Sequence, residues 1–310
     1  PNAVGARQMA VIAVNASNGQ IDGQDTVRRA LAALPEAGGI TVMAHGFRSC
    51  PFTPDASPHN LIYATDRRRC SWKSVSWPHY LGLTRAGAGL GIGFAWPALG
   101  RLGQAATRAW RAGDAMARLF ALIAAERPDA RVHAIAHSLG VRVALRALSA
   151  QPAGAVDTLV LLTGAEFRGA ARRAAFSPAG RTARILNVTS GENAVFEGLF
   201  RILAPGREPL APALSAGLGA PHPGWLDLRI DAATHLRALR SLGYRPASPA
   251  RRVCHWSAYL RPGLFPLYRD LFGPDGAAAF ARLRQALPAP VAASGAAALR
   301  RFAGARPAQP

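Results

Sequence analysis

Short apolar runs alternate along the chain with longer stretches in which apolar residues recur at helical spacing. This alternation predicts strands buried on both faces of a mostly parallel sheet, covered by helices. Met9 to Val14 reads as a first strand. Ile40-Thr41-Val42-Met43-Ala44 is a second, stopped by His45-Gly46, and Gly91 to Trp96 is a third, stopped by Pro97. From Gln104 to Arg127, the residues Trp110, Met116, Leu119, Phe120 and Ile123 trace one packed face of a long helix, with Pro128 just past its end. Arg131 to Ala136 is a compact strand, followed by a helix from Leu139 to Ala150 with Val141, Val143, Leu145 and Leu148 as its apolar positions. Val156 to Leu162 and Arg184 to Val188 complete the strands, separated by an Ala- and Arg-rich helix or loop around Arg168 to Ala175. The expected class is α/β, with a doubly wound, mostly parallel sheet and helices on both faces.

Two segments break the alternation. Residues 50–90 are rich in Pro, Arg and Trp, and residues 204–224 in Pro and Gly; insertions of this kind are expected to form pocket walls or lids. After Phe280 the chain turns to low-complexity Ala, Pro and Arg. The reading is therefore one domain over 1–285 and a disordered tail over 286–310.

Composition narrows the function classes. A chain of 310 residues with 50% hydrophobic content can bury one large core. Charged residues make up 17%, and no long apolar run is free of charge or of Gly/Pro breakers, so no membrane span is expected. No basic segment leads into an apolar run at the start, so no signal peptide is expected either. Cys50, Cys70 and Cys254 are too widely spaced for a disulfide framework or a zinc site, and read as free thiols in a reducing, cytoplasmic compartment. A net charge of +20 raises nucleic acid as a partner. Yet Lys73 is the only lysine, the arginines are spread along the whole chain, and no aromatic residues alternate with the densest basic run, Arg67-Arg68-Arg69. That run reads as a solvated loop, with contact to an anionic substrate or surface as the alternative, and nucleic acid is not the expected partner. Gly87, Gly89, Gly91 and Gly93 form a Gly-x-Gly run without a helix start behind it, a weak phosphate signal. No cofactor and no metal cluster are expected.

The chemistry concentrates at Ala136-His137-Ser138-Leu139-Gly140, which joins the strand ending at Ala136 to the helix beginning at Leu139. A serine on so sharp a strand-to-helix turn needs small neighbours, and Ala136 and Gly140 supply them. There its hydroxyl would stand at the carboxyl end of the sheet, and backbone N–H groups at the helix start would face developing negative charge. The plainer role for Ser138 is a helix cap. Upstream, His45-Gly46-Phe47-Arg48 leaves a strand in a way that lets the backbone fold over the serine, so the N–H groups of Phe47 and Leu139 are the candidate oxyanion donors. His45 reads as a shaping residue that satisfies backbone groups.

With these residues in view, the stretch from Ile40 to Phe272 resembles the α/β-hydrolase superfamily. HGF follows one strand and AHSLG a later one, and the region of Cys254-His255-Trp256 and Leu260 to Phe265 is similar to what bacterial members carry at the catalytic histidine. The resemblance implies a hydrolytic serine with its partners in the order serine, acid, histidine. Of the late histidines, His235 lies in a helical pattern from Thr234 to Leu242 and reads as a surface or packing residue, while His222 sits between two prolines and reads as a pocket-lining candidate. His255, beside Trp256 and before a Gly/Pro-punctuated loop, best fits the base, with a histidine packed on Trp256 as its plainer role. For the acid, Thr189-Ser190-Gly191-Glu192-Asn193 follows a strand where similar hydrolases place Ser-x-x-Asp. Asn193 falls where that aspartate would be. Glu192, adjacent and ionisable, is favoured; Glu166 after the preceding strand is the alternative, with Asn193, Glu197 or no acid the remaining options. His45, Gly46, His137, Trp96 and Trp256 are pocket candidates, Trp96 for an acyl group, while Phe94 and Trp77 read as core or wall. The expected activity is ester hydrolysis through an acyl-enzyme on Ser138, with a small ester or acyl compound as partner. A transferase or thioesterase with the same triad, a silent binding protein of this fold, and an arginine-borne nucleic-acid binder are the rivals.

Overall fold

The computed structural model describes residues 11–36, 38–66, 73–85, 87–204, 211–249 and 252–288. The Arg67-Arg68-Arg69 run, Cys70, Met9 and the tail from 289 onward lie outside the described residues.

The chain is α/β, with an eight-stranded sheet. Its strands are β1 (Val11–Ser17), β2 (Gln20–Ile21), β3 (Ile40–Ala44), β4 (Leu90–Ala95), β5 (Val132–His137), β6 (Thr158–Leu162), β7 (Arg184–Thr189) and β8 (Trp225–Arg229). They lie in the order β2-β1-β4-β3-β5-β6-β7-β8, and only the short β2 runs antiparallel. The register carries Ala44 level with Ala136 across β3 and β5, and His137 level with Leu162 across β5 and β6. The carboxyl ends of the central strands are thus brought together. That edge is where an open α/β sheet places its site.

The helices are α1 (Gln24–Ala32), α2 (Trp77–Leu81), α3 (Leu102–Glu126), α4 (Leu139–Ser149), α5 (Arg168–Ala175), α6 (Pro178–Thr182), α7 (Ala194–Leu203), α8 (Ala233–Ser241), α9 (Ser257–Leu260), α10 (Phe265–Phe272) and α11 (Gly276–Ala286). β3, β4, β5 and β6 are buried along their whole length, as strands covered on both faces must be. Alternate residues feed two cores. Val42, Ala44, Phe94 and Ala136 pack with Met116 and Leu119 of α3 and Val141 and Leu145 of α4 on one face. Met43, Ile135, Val160 and Val188 pack with Leu267 and Leu271 of α10 and Leu283 of α11 on the other. Each such fully buried aliphatic side chain contributes about 1.5–3 kcal/mol.

The structure departs from the sequence-based expectations in three places. β8 was not expected: Trp225-Leu226-Asp227-Leu228-Arg229 is short and directly follows the Pro/Gly-rich segment. Trp110, expected on the packed face of α3, is 45% exposed and lies under the Arg142 guanidinium at 5.1 Å. β2 was not expected either; Tyr63 and Trp77 of the first insertion are buried in the second core, in keeping with the reading of Trp77 as core or wall. No helix among the described residues is long and apolar enough to cross a membrane.

Candidate functional site

Ser138 stands between β5 and α4 with φ 56° and ψ −123°, a conformation that a non-glycine residue adopts only where its surroundings impose it. The imposition is visible. Its N–H donates to Leu162 O at 3.0 Å, and its carbonyl accepts from Ala165 N–H at 3.0 Å. Gly140 lets α4 approach β3 so closely that a Cβ there would lie 2.5 Å from Ala44 O and His45 O. A Cβ on Gly46 would lie 2.6 Å from the Ser138 Cβ. Both glycines are thus required by close backbone approach at the serine.

His255 reaches Ser138 from the segment before α9. Ser138 Oγ–H donates to Nε2 at 2.8 Å, and Nδ1–H donates to Asn193 Oδ1 at 2.6 Å. Burial holds the His255 imidazole well below its usual range, and the nearby His137 ring pushes in the same direction. The ring is therefore neutral and able to accept a proton at near-neutral pH. Its backbone is fixed as well: the His255 carbonyl accepts from Thr163 Oγ–H at 3.0 Å and from His137 Nε2–H at 3.1 Å. Thr163 has φ 42°, a second non-glycine residue in the left-handed region beside the serine. Phe196 of α7 stacks on the His255 ring at 4.8 Å, and Trp256 meets it edge-on at 5.8 Å.

The favoured acid requires correction. Glu192 is buried, but its carboxylate accepts from Ser190 Oγ–H at 2.9 Å and from Arg261, and Asn193 takes the place at Nδ1. The reason is local: Gly191–Asn193 forms a 3-10 turn after β7, which aims Glu192 and its neighbour Asn193 at different partners. Glu166 is not at His255 either. It receives Arg142 through two bonds, Nε to Oε2 at 3.0 Å and Nη2 to Oε1 at 2.7 Å, together with the Phe167 N–H at 2.8 Å. Trp96 is fully buried and borders a small cavity lined also by Asn18, Gly19 and Arg111, to which Ser138 does not belong; its backbone N–H donates to His45 Nε2 at 3.0 Å and its ring stacks on His45 at 5.4 Å. His45 in turn donates from Nδ1 to Gly46 O at 2.8 Å, and burial lowers its pKa to about 4, so it stays neutral and shapes the loop.

Among the described residues, neither Phe47 N–H nor Leu139 N–H donates to a protein acceptor. Leu139 opens α4, where the first N–H groups have no intrahelical partner. His222 and His235 are placed elsewhere: His222 donates from Nε2 to Ala175 O at 2.9 Å, and His235 Nδ1 accepts from Arg229 N–H at 3.1 Å. No family model and no curated protein matches the chain.

The site forms one chain of hydrogen bonds, from Ser138 through His255 to Asn193. It can move a proton from the serine hydroxyl to Nε2 while Asn193 holds the ring and its tautomer. Sequence reasoning missed Thr163, Phe196 and Arg261. Thr163 follows a fully buried strand and carries no motif. Phe196 and Arg261 are ordinary residues whose contacts arise only when α7 and the segment after His255 fold over the sheet edge. No group of three or more His, Cys, Asp or Glu that could hold a metal ion occurs among the described residues.

Proposed function

We propose that the protein is a serine hydrolase of the α/β-hydrolase type acting on carboxylic esters. The observation that carries this reading is the Ser138–His255–Asn193 chain, with the serine in a strained turn at the carboxyl edge of the sheet. In this reading Ser138 Oγ attacks the ester carbonyl as its proton passes to His255 Nε2. The N–H groups of Phe47 and Leu139 receive the oxyanion. Collapse of the tetrahedral intermediate expels the alkoxide, which leaves as the alcohol with the proton from Nε2. Water then attacks the acyl-enzyme, one of its protons passing to Nε2 and on to the serine while the other leaves on the departing carboxylic acid, which ionises in solvent. Trp256 and Phe196, beside the imidazole, are suited to line the path of the acyl group.

A fluorophosphonate probe is the direct test, because it reacts with an activated serine and leaves an ordinary one alone. It is expected to label the wild type and not Ser138→Ala; an unlabelled, well-folded wild type would sink the proposal. One observation favours a second reading, a binding protein of this fold without turnover: Asn193, being neutral, cannot offset the charge of the imidazolium. An acyltransferase would share the first half-reaction and differ in the acceptor.

Asn193→Asp probes the same point in the active protein. A carboxylate at Nδ1 favours the protonated ring and opposes the lowering that burial imposes. The acid limb of kcat/KM is therefore expected to move to higher pH. The plateau kcat should rise about tenfold, corresponding to about 1.4 kcal/mol of added transition-state stabilisation. An unmoved limb would mean that residue 193 does not face the titrating ring.

A further inference from the structure

Glu192 precedes Asn193, is only 6% exposed, and spends its contacts on the segment that carries His255. Its main-chain carbonyl accepts from Cys254 N–H at 2.9 Å, immediately before His255. Its Oε2 accepts from the Arg261 guanidinium, just after α9 and at the far end of the same segment. The other arm of Arg261 donates to Ile230 O, which follows β8. On the near side, Ser190 Oγ–H donates to Oε2 at 2.9 Å while Ser190 Oγ accepts from Glu192 N–H at 3.2 Å, and Asn193 N–H donates to Ser190 O at 3.0 Å. One carboxylate therefore joins the turn that bears Asn193, the segment that bears His255 and the end of β8.

A buried ion pair is weak evidence of stability, because apolar residues of similar volume often do as well. Its location at the junction of the two segments that must hold the 2.6 Å bond between Asn193 and His255 suggests another use. The Glu192 charge is balanced by Arg261 and reaches no atom of the imidazole, so what it can supply there is geometry.

We propose that Glu192 is a positioning residue which, through Arg261 and Cys254, sets the Asn193 to His255 bond and so aims Nε2 at Ser138. This rests on the hydrolase reading above, since aim affects rate only if Ser138 is the nucleophile. Without the carboxylate–guanidinium link, only the main-chain bond from Cys254 N–H to Glu192 O ties these two segments and the imidazole can drift; a misplacement of about 1 Å at a reacting group costs on the order of 10²-fold in rate.

The test compares the full-length wild type with Glu192→Ala/Arg261→Met, which removes both charges together. The single variant Glu192→Gln leaves Arg261 buried and unbalanced and can fail to fold, so the double variant carries the decision. Turnover of a short p-nitrophenyl ester, the rate of Ser138 labelling by a fluorophosphonate, and the low-field proton resonance of the His255 Nδ1–H are measured well below each variant's Tm. The expected result is a kcat lowered by roughly 30- to 100-fold, with KM within about twofold and Ser138 labelling slowed in parallel. The Nδ1–H resonance should be lost or displaced. Wild-type kcat with an unchanged resonance in the folded double variant overturns the positioning role and leaves the hydrolase reading standing. A wild type that neither labels nor turns over overturns both.

Discussion

Replacing His255 by Ala is expected to lower kcat toward a short p-nitrophenyl ester by on the order of 10⁴- to 10⁶-fold, the scale seen when one member of such a cooperating unit is removed. The Ser138 hydroxyl has Nε2 as its hydrogen-bonding acceptor at 2.8 Å, so without the ring the proton has no protein base to enter. His137 is the obvious substitute, because its ring centroid is 4.7 Å from that of His255. It does not take that place, since its Nε2–H is committed to the His255 carbonyl rather than facing the serine hydroxyl. The residual rate in His255→Ala therefore measures what the Phe47 and Leu139 N–H groups and substrate binding supply alone. Steady-state turnover against an uncatalysed control decides the matter. If the variant retains more than about one part in a hundred of wild-type kcat, Ser138 is not activated by His255 and the proton path proposed for the site is wrong.

The elements that position Ser138 were legible in the sequence because each has a strong local signature. Ile40 to Ala44 and Val132 to His137 are buried throughout, so they appear as runs dominated by apolar residues, with Thr41, His133 and His137 as their polar positions. The serine is flanked by small residues that the turn demands. His255 was identifiable by elimination, since the other late histidines sit in patterns with plainer explanations. The third member was not legible, for a physical reason. Charge was weighed above position, and the adjacent Glu192 and Asn193 differ in role only through the direction each side chain takes from a 3-10 turn. Which of two neighbours faces His255 depends on Arg261 and Cys254, distant in sequence, and no local pattern encodes that choice. Glu166 is a similar case. Its partner Arg142 is 1% exposed and looks from the sequence like any other arginine of a basic chain.

Acid is expected to unfold the protein with a midpoint between about pH 4 and 6, through histidines that the fold keeps neutral. Three of them have pKa values lowered to about 4, each with burial as the largest cause: His45 just after β3, His137 beside the serine, and His133 at the opposite end of β5. His133 stacks on Phe272 at 5.1 Å and faces Asp157, Arg131 and Arg184; the carboxylate favours its protonation, while the two guanidinium groups oppose it. Because each folded value lies below the ordinary 6.5, the unfolded chain takes up protons first. The stabilisation from these neutral rings is present above pH 6.5 and is lost as pH falls toward 4. Each ring is worth about 3 kcal/mol over that span, so three together approach the whole stability of an ordinary domain, roughly 5–15 kcal/mol. The loss is expected to be steep, with about three to four protons taken up per molecule on unfolding because His255 is held low as well, read from the slope of the unfolding constant against pH by circular dichroism. His133→Phe keeps an aromatic ring against Phe272 and removes one titrating group away from Ser138. It should move the midpoint to lower pH and cut the proton uptake by about one. A wild-type midpoint below pH 4, or an uptake unchanged in His133→Phe, would show that these rings do not govern acid stability.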